Sequence, residues 1–299
     1  MIRSAGIAVL LCALLASACA TPGSSASPGG GSPLASAGSA LPSAGGPSPS
    51  ASVASEPSGV AVIGHSGATG YDSDPDQPGE DVGANSWATG TNPQVNSIYL
   101  RLLATDPSLE GHWLNLAIDG SGVDSLIAQA TQLVGRTPKP ELVLVQSIDN
   151  DMQCDGTDAA NYEPYRTKLT QVMGILTQGL PDAQIFLVSQ WATVETYDRV
   201  VFSLRPQHLT GDGPCDTVGT ETGQIDPSKE AYVQGLIKDY WGIVTETCAL
   251  YPTCRTDGGV MQQMDLVPED LASDYNHLSV AGHAKMAAME WEALYPGGG

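Results

Sequence analysis

The sequence predicts an α/β domain built on a parallel sheet with helices over both faces. Two observations carry this. Short apolar runs recur along the chain, each closed by Gly, Asp or Ser, and the stretches between them place apolar residues at helical spacing. Parallel strands require crossover connections, and such alternation supplies them. A parallel sheet of this kind is covered on both faces.

The first run, residues 60–64, breaks at Gly64 into His65, Ser66 and Gly67. This reads as a tight strand-to-helix turn able to present the Ser66 hydroxyl at the sheet edge. Residues 71–92 form a polar loop long enough to serve a function of its own. Trp87 within it either lines a pocket mouth or, the plainer expectation, packs the loop onto the body. Helical spacing over 93–104 has Asn92 as its cap. A second strand is expected over 112–118, ending at Asp119 and Gly120, followed by a helix over 123–134. The third strand, 141–146, runs into Ser147 and then Asp149, Asn150 and Asp151. A helix over 162–178 precedes a fourth strand at 184–189. Residues 191–226, rich in Gly, Thr and Asp, read as an irregular insertion. A helix follows over 229–247, then a small loop at 248–254 and a weaker fifth strand at 260–266. Ser279 caps a closing helix over 280–294.

The ends of the chain differ from its middle. Residues 1–18 carry Arg3, an apolar stretch too short to span a bilayer, and the small residues Ala16, Ser17 and Ala18. That is the pattern of a secretory signal, so the protein is expected to be exported. Cys19 stands where a bacterial lipoprotein signal places its acylated cysteine, and the site resembles a lipobox with Ala16 where Leu is usual. Plain cleavage after Ala18 is the alternative. Residues 19–58 are almost entirely Ser, Ala, Gly and Pro, a composition expected to form a disordered tether and suited to holding a lipid-anchored protein at the cell surface. The folded domain is expected over 59–299, acting as a monomer.

The formal net charge of -21, with only 12 Lys and Arg, argues against nucleic acid and anionic lipid surfaces as partners, since polyanions reward basic residues. A lipid anchor would then be the one link to a membrane. Beyond Cys12 and Cys19 the cysteines are Cys154, Cys215, Cys248 and Cys254. In an exported domain they suggest two disulfides, and of the three connectivities Cys154–Cys215 with Cys248–Cys254 is preferred. No pair has Cys-x-x-Cys spacing, which argues against zinc. The acidic string from Asp149 to Gly156 lacks the spaced Gly and closing Glu of a calcium loop.

In open parallel sheets, ligands bind beyond the carboxyl ends of the strands. Those positions hold Ser66, Gly120 and Asn150, with Asp274 and His277 just before the last helix. A hydroxyl, a backbone amide, a carboxamide and an imidazole beside a carboxylate form a working set for acyl transfer. Serine becomes a nucleophile when an imidazole takes its proton, and a carboxylate fixes that ring's tautomer.

These residues resemble four blocks of the SGNH hydrolases, also called GDSL esterases and lipases: residues 64–70 with Ser66, 115–120 with Gly120, 148–151 with Asn150, and 274–277 with Asp274 and His277. The blocks lie in family order across about 60–294. The resemblance implies a three-layer α/β/α sandwich around a five-stranded parallel sheet of flavodoxin-like type. It implies hydrolysis of a small carboxylic ester or acylated substrate without metal or organic cofactor. Ser66 would be the nucleophile, His277 the base and Asp274 its orienting carboxylate, with Ser66, Gly120 and Asn150 forming the oxyanion hole. The sequence departs from the family twice, with His65 where Asp is usual and Ile148 where Gly is usual. The α/β-hydrolase alternative fits poorly, because Ala68 ends the serine motif and Asp and His lie three apart. A non-catalytic glycan- or peptide-binding lipoprotein on the same fold is the other alternative.

Overall fold

The computed structural model describes residues 58–209 and 215–297. The expected signal, Cys19 and the tether up to residue 57 lie outside them.

Five parallel strands form one sheet in the order β2-β1-β3-β4-β5. These are β1 Val60–Ile63, β2 Trp113–Asn115, β3 Leu142–Gln146, β4 Gln184–Val188 and β5 Cys254–Thr256. The register pairs Val60 with both Trp113 and Leu142. β1 and β3 are buried along their whole length, which accounts for their unbroken apolar runs. Side chains of alternating parity serve opposite faces. Val60, Val62, Leu142, Leu144 and Phe186 join one core, while Ala61, Ile63, Val143, Val145 and Ile185 join the other.

Among the described residues, seven α-helices cover the sheet: α1 Ser66–Thr69, α2 Ile98–Thr105, α3 Val123–Val134, α4 Asp158–Gly179, α5 Val194–Leu204, α6 Pro227–Cys248 and α7 Val280–Leu294. The first core takes Ile98 and Leu102 from α2, Val200 and Val201 from α5, and Met286 and Leu294 from α7. The second takes Leu126 and Leu133 from α3, Leu169 and Val172 from α4, and Tyr240 and Val244 from α6. The molecule is thus a three-layer α/β/α sandwich. Among the described residues no helix is long and apolar enough to cross a membrane.

Several expectations need correction. Helix α2 starts at Ile98, capped by the Ser97 hydroxyl, which accepts from Leu100 N. Asn92 instead accepts from Gln94 N in a local turn, and Asn96 at φ 48° interrupts the helix before it can begin. Residues 191–226 are not irregular throughout, because they contain α5, capped by Thr193. The fifth strand lies at Cys254–Thr256, and residues 260–266 instead hold a 3₁₀ turn at Val260–Gln263. Gly258 and Gly259, both at positive φ, break the extended path, and Met261 and Met264 are buried beyond them. Helices α4 and α6 begin earlier than expected, the latter at Pro227 behind an Asp226 cap. β2 is shorter than its run, although Leu116 and Ile118 still donate to Val62 O and Gly64 O. Helix α7 has the expected bounds and cap.

Candidate active site

The strand order reverses between β1 and β3, so the crevice beyond their carboxyl ends is where a ligand is expected. Ser66 lies there, as the first residue of the four-residue helix α1. His65 caps that helix, its Nδ1 accepting from Gly67 N at 3.2 Å. A Cβ on Gly67 would lie 2.5 Å from Gln146 Nε2, so any larger residue would have to displace the Gln146 side chain of β3. Trp87 is wholly buried and donates from Nε1 to Gln146 Oε1 at 3.2 Å. It therefore packs the 71–92 loop onto the body.

His277 reaches Ser66 from 211 residues away, with Nε2 2.8 Å from the serine Oγ. Its Nδ1 is 2.6 Å from Asp274 Oδ2. Asp274 Oδ1 accepts from the backbone N–H groups of Asn276 and His277, which locks the turn. Burial works against the Asp274 charge, but the bonds from the His277 ring and the backbone amides offset it and hold the pKa below the usual carboxylate value.

Two residues of the 71–92 loop complete this arrangement. Asp72 Oδ2 accepts from Ser273 Oγ at 2.9 Å and Asp274 N at 3.0 Å, tying the loop to the turn. The Tyr71 ring lies 4.7 Å from the His277 ring, tilted by 56°. Sequence reasoning missed both; the pair Tyr71-Asp72 directly after the serine block was the available signal.

Asn150 lies at the crevice and donates from Nδ2 to Ser121 O at 3.1 Å. A carboxamide nitrogen carries two hydrogens, so this bond orients the group and leaves a second donor. Gly120, with φ 66°, occupies the exposed turn before Ser121 and is not among the residues lining the cleft. The Ser121 side chain returns to Gly64 O at 2.9 Å, connecting that turn to the serine block.

The two departures from the family pattern meet here. His65 is buried, with Nε2 3.6 Å from Asp149 Oδ2. Because Nδ1 accepts a hydrogen bond it carries no proton, so the ring is neutral with its proton on Nε2. Burial lowers the His65 pKa in agreement, and burial raises that of Asp149 against the opposing effects of His65 and His277. Ile148 sits at φ 98°, a left-handed conformation that a β-branched residue rarely adopts. Burial of its side chain in the second core offsets the strain, and the bend directs Asp149 and Asn150 into the crevice. Asp151 accepts from Val123 N at the start of α3, while burial pushes its pKa to about 6.

From Ser66 a cleft of ≈ 760 Å³ extends past Trp191, Tyr197 and Asp198 to Val233 and Ile237. The Cys154–Cys215 disulfide, with Cα atoms 5.0 Å apart, joins the loop after β3 to the segment following α5. Cys248–Cys254 joins the end of α6 to β5. Among the described residues no group of three or more His, Cys, Asp and Glu side chains is arranged to hold a metal ion.

No family model and no curated protein matches the sequence. Solved structures do. TesA is similar over 79% of this chain and 98% of its own, at 14% identity and a TM-score of 0.50. A lipolytic protein of the G-D-S-L family from Desulfitobacterium hafniense DCB-2 matches 79% of this chain and 99% of its own, at 15% identity and a TM-score of 0.46. Phospholipase A1 from Streptomyces albidoflavus NA297 matches 79% and 98%, at 12% identity and a TM-score of 0.47. At such identity the likeness concerns architecture alone: the chain shares the three-layer α/β/α fold of TesA.

Proposed function

We propose that this protein is a serine esterase that cleaves carboxylic esters through an acyl-enzyme. The observation that carries the reading is the continuous path from Ser66 Oγ through His277 to Asp274, with contacts of 2.8 and 2.6 Å. His277 Nε2 takes the Ser66 proton as Oγ bonds to the ester carbonyl carbon, and Asp274 holds the Nδ1 proton and favours the imidazolium. The carbonyl oxygen becomes an oxyanion facing the Ser66 N–H and the free Asn150 donor, with the Gly120 N–H as the proposed third donor. The C–O bond to the leaving group breaks as His277 returns the proton to the departing alcohol. Water then attacks the acyl-serine by the same route, releasing the acid and restoring Ser66.

The expected setting is outside the cell. Residues 1–18 act as the signal, 19–58 as the tether, and 59–299 as the hydrolase domain, with Cys19 lipidated. Cys19→Ser should then shift the protein from the membrane fraction to the medium, whereas an unchanged distribution rejects the anchor.

Hydrolysis of p-nitrophenyl acetate by the protein tests the chemistry. Ser66→Ala and His277→Ala should each lower kcat by roughly 10⁴-fold or more. Asn150→Ala should lower it by about 10²–10³-fold if its carboxamide faces the oxyanion. Equal turnover by wild type and Ser66→Ala would favour a non-catalytic binding module.

A further inference from the structure

The proposed chemistry uses one end of the cleft and leaves a buried acid at the other unexplained. Asp198, on the inward face of α5, lines the same cleft as Ser66 yet is 1% exposed, and its Oδ2 has no hydrogen-bond partner. Its carboxyl is hydrogen-bonded by the Thr217 hydroxyl and by the Glu230 carboxyl from α6, so its nearest charged neighbour is a second acid rather than a counter-charge. Lys229, the neighbouring cation, is engaged by Asp216 at 3.4 Å and Val218 O at 2.7 Å. Glu195, on the first turn of α5, adds negative charge around Glu230.

The lining is one-sided in charge. Among the described residues it includes Asp149, Asp198, Asp216 and Asp274 and neither Lys nor Arg. Trp191 and Tyr197 stand edge to face with ring centres 5.7 Å apart, and the Tyr197 hydroxyl donates to Tyr275 O, which holds its ring in place. A buried carboxylate without a counter-charge is costly, and a second acid hydrogen-bonded to it adds negative charge that no cation balances. Burial accordingly pushes the Asp198 pKa to about 7. Such a site rejects anionic substrates and favours a ligand that supplies the missing positive charge. Aromatic faces near an acid suit an alkylammonium group. A sugar hydroxyl would satisfy one oxygen but leave the charge uncompensated.

We propose that the Asp198 end of the cleft is a cation subsite, taking an ammonium group carried by the ester substrate, with Asp198 as counter-ion and Trp191 and Tyr197 against its alkyl groups. This rests on the cleft being an ester-cleaving site and names the substrate class: cationic esters.

The test is calorimetric titration of the full-length Ser66→Ala protein at pH 8, which does not depend on turnover. The probes are choline, its uncharged isostere 3,3-dimethylbutan-1-ol, and methyl glucoside. Choline should bind roughly tenfold or more tightly than the isostere, and Asp198→Asn should abolish that difference. Asp198→Asn should melt no lower than its parent, since it removes one of two adjacent acids while keeping a hydrogen-bonding side chain. If it fails to fold, Glu230→Gln serves instead and should weaken choline binding severalfold. Equal affinity for choline and the isostere, choline binding insensitive to both substitutions, or tighter binding of methyl glucoside would overturn the proposal. Loss of p-nitrophenyl acetate hydrolysis by wild type is a separate result, and it would sink the esterase reading alone.

Discussion

At the scale of single residues, His65 shows how a departure from a family pattern can keep its local task. An aspartate at this position would cap α1 with a carboxylate; His65 does so with Nδ1, and its longer ring also reaches Asp149, the residue before Asn150. The serine turn and the Asn150 loop are therefore in contact through one neutral imidazole. Two substitutions separate the roles. His65→Asn keeps a capping oxygen but cannot reach Asp149, so kcat should fall about tenfold with stability within roughly 1–2 kcal/mol of wild type. His65→Ala also loses the cap and leaves a cavity, so unfolding in urea should show a loss of roughly 2–4 kcal/mol. If both variants retain wild-type kcat, the coupling has no catalytic consequence. Ile148 carries the complementary lesson: burying its side chain contributes roughly 1.5–3 kcal/mol, comparable with the roughly 1–3 kcal/mol expected for the strained backbone. Isoleucine can thus stand where glycine is the usual solution.

At the scale of elements, the strands that form the middle of the sheet were legible because burial on both faces makes them apolar without interruption. The edge strand β5 was not, since Cys254–Thr256 includes the exposed Arg255 and has no apolar run to read. Helix α5 was overlooked within a segment rich in turn-forming residues, although Val194, Tyr197, Val200 and Val201 do follow helical spacing. That helix carries Asp198 and forms part of the cleft wall. The Cys154–Cys215 bridge holds the wall in place by closing a loop with a sequence separation of 61 residues. Replacing both cysteines by serine should lower stability by roughly 2–4 kcal/mol and raise KM more than it lowers kcat. Guanidinium unfolding and steady-state kinetics on the double variant check this, and a kcat collapse at unchanged KM would place the bridge's influence at Ser66 instead.

At the scale of the whole molecule, buried titratable groups make stability depend on pH in opposing ways. His283, buried in α7, has its pKa lowered to about 3 by desolvation, with the nearby His277 charge acting in the same direction. Above pH 6.5 it is neutral in both folded and unfolded chains. As pH falls below that value the unfolded chain binds a proton that the folded one refuses, so stability is lost progressively towards pH 3. Asp151 and Asp198 act oppositely: their raised pKa values favour folding at low pH, and that contribution disappears as pH rises through about 6 and 7. His283→Met should remove the histidine contribution alone. Between pH 7 and pH 5 the variant should lose roughly 2 kcal/mol less stability than wild type in denaturant titrations. Equal losses would show that His283 is protonated in the folded state. The sequence by itself determined the layered α/β class, the inner strands, the closing helix and the small set of residues from which a site could be drawn, because strand burial and helix capping leave their pattern within a few neighbouring positions. Only the tertiary structure decided that His277 meets Ser66 across 211 residues, that Asp72 secures the Asp274 turn, and that Asp198 faces the same cleft. Those contacts join separate strands and helices through the crossover of a parallel sheet, and distance in space is not encoded by the spacing of residues along a chain.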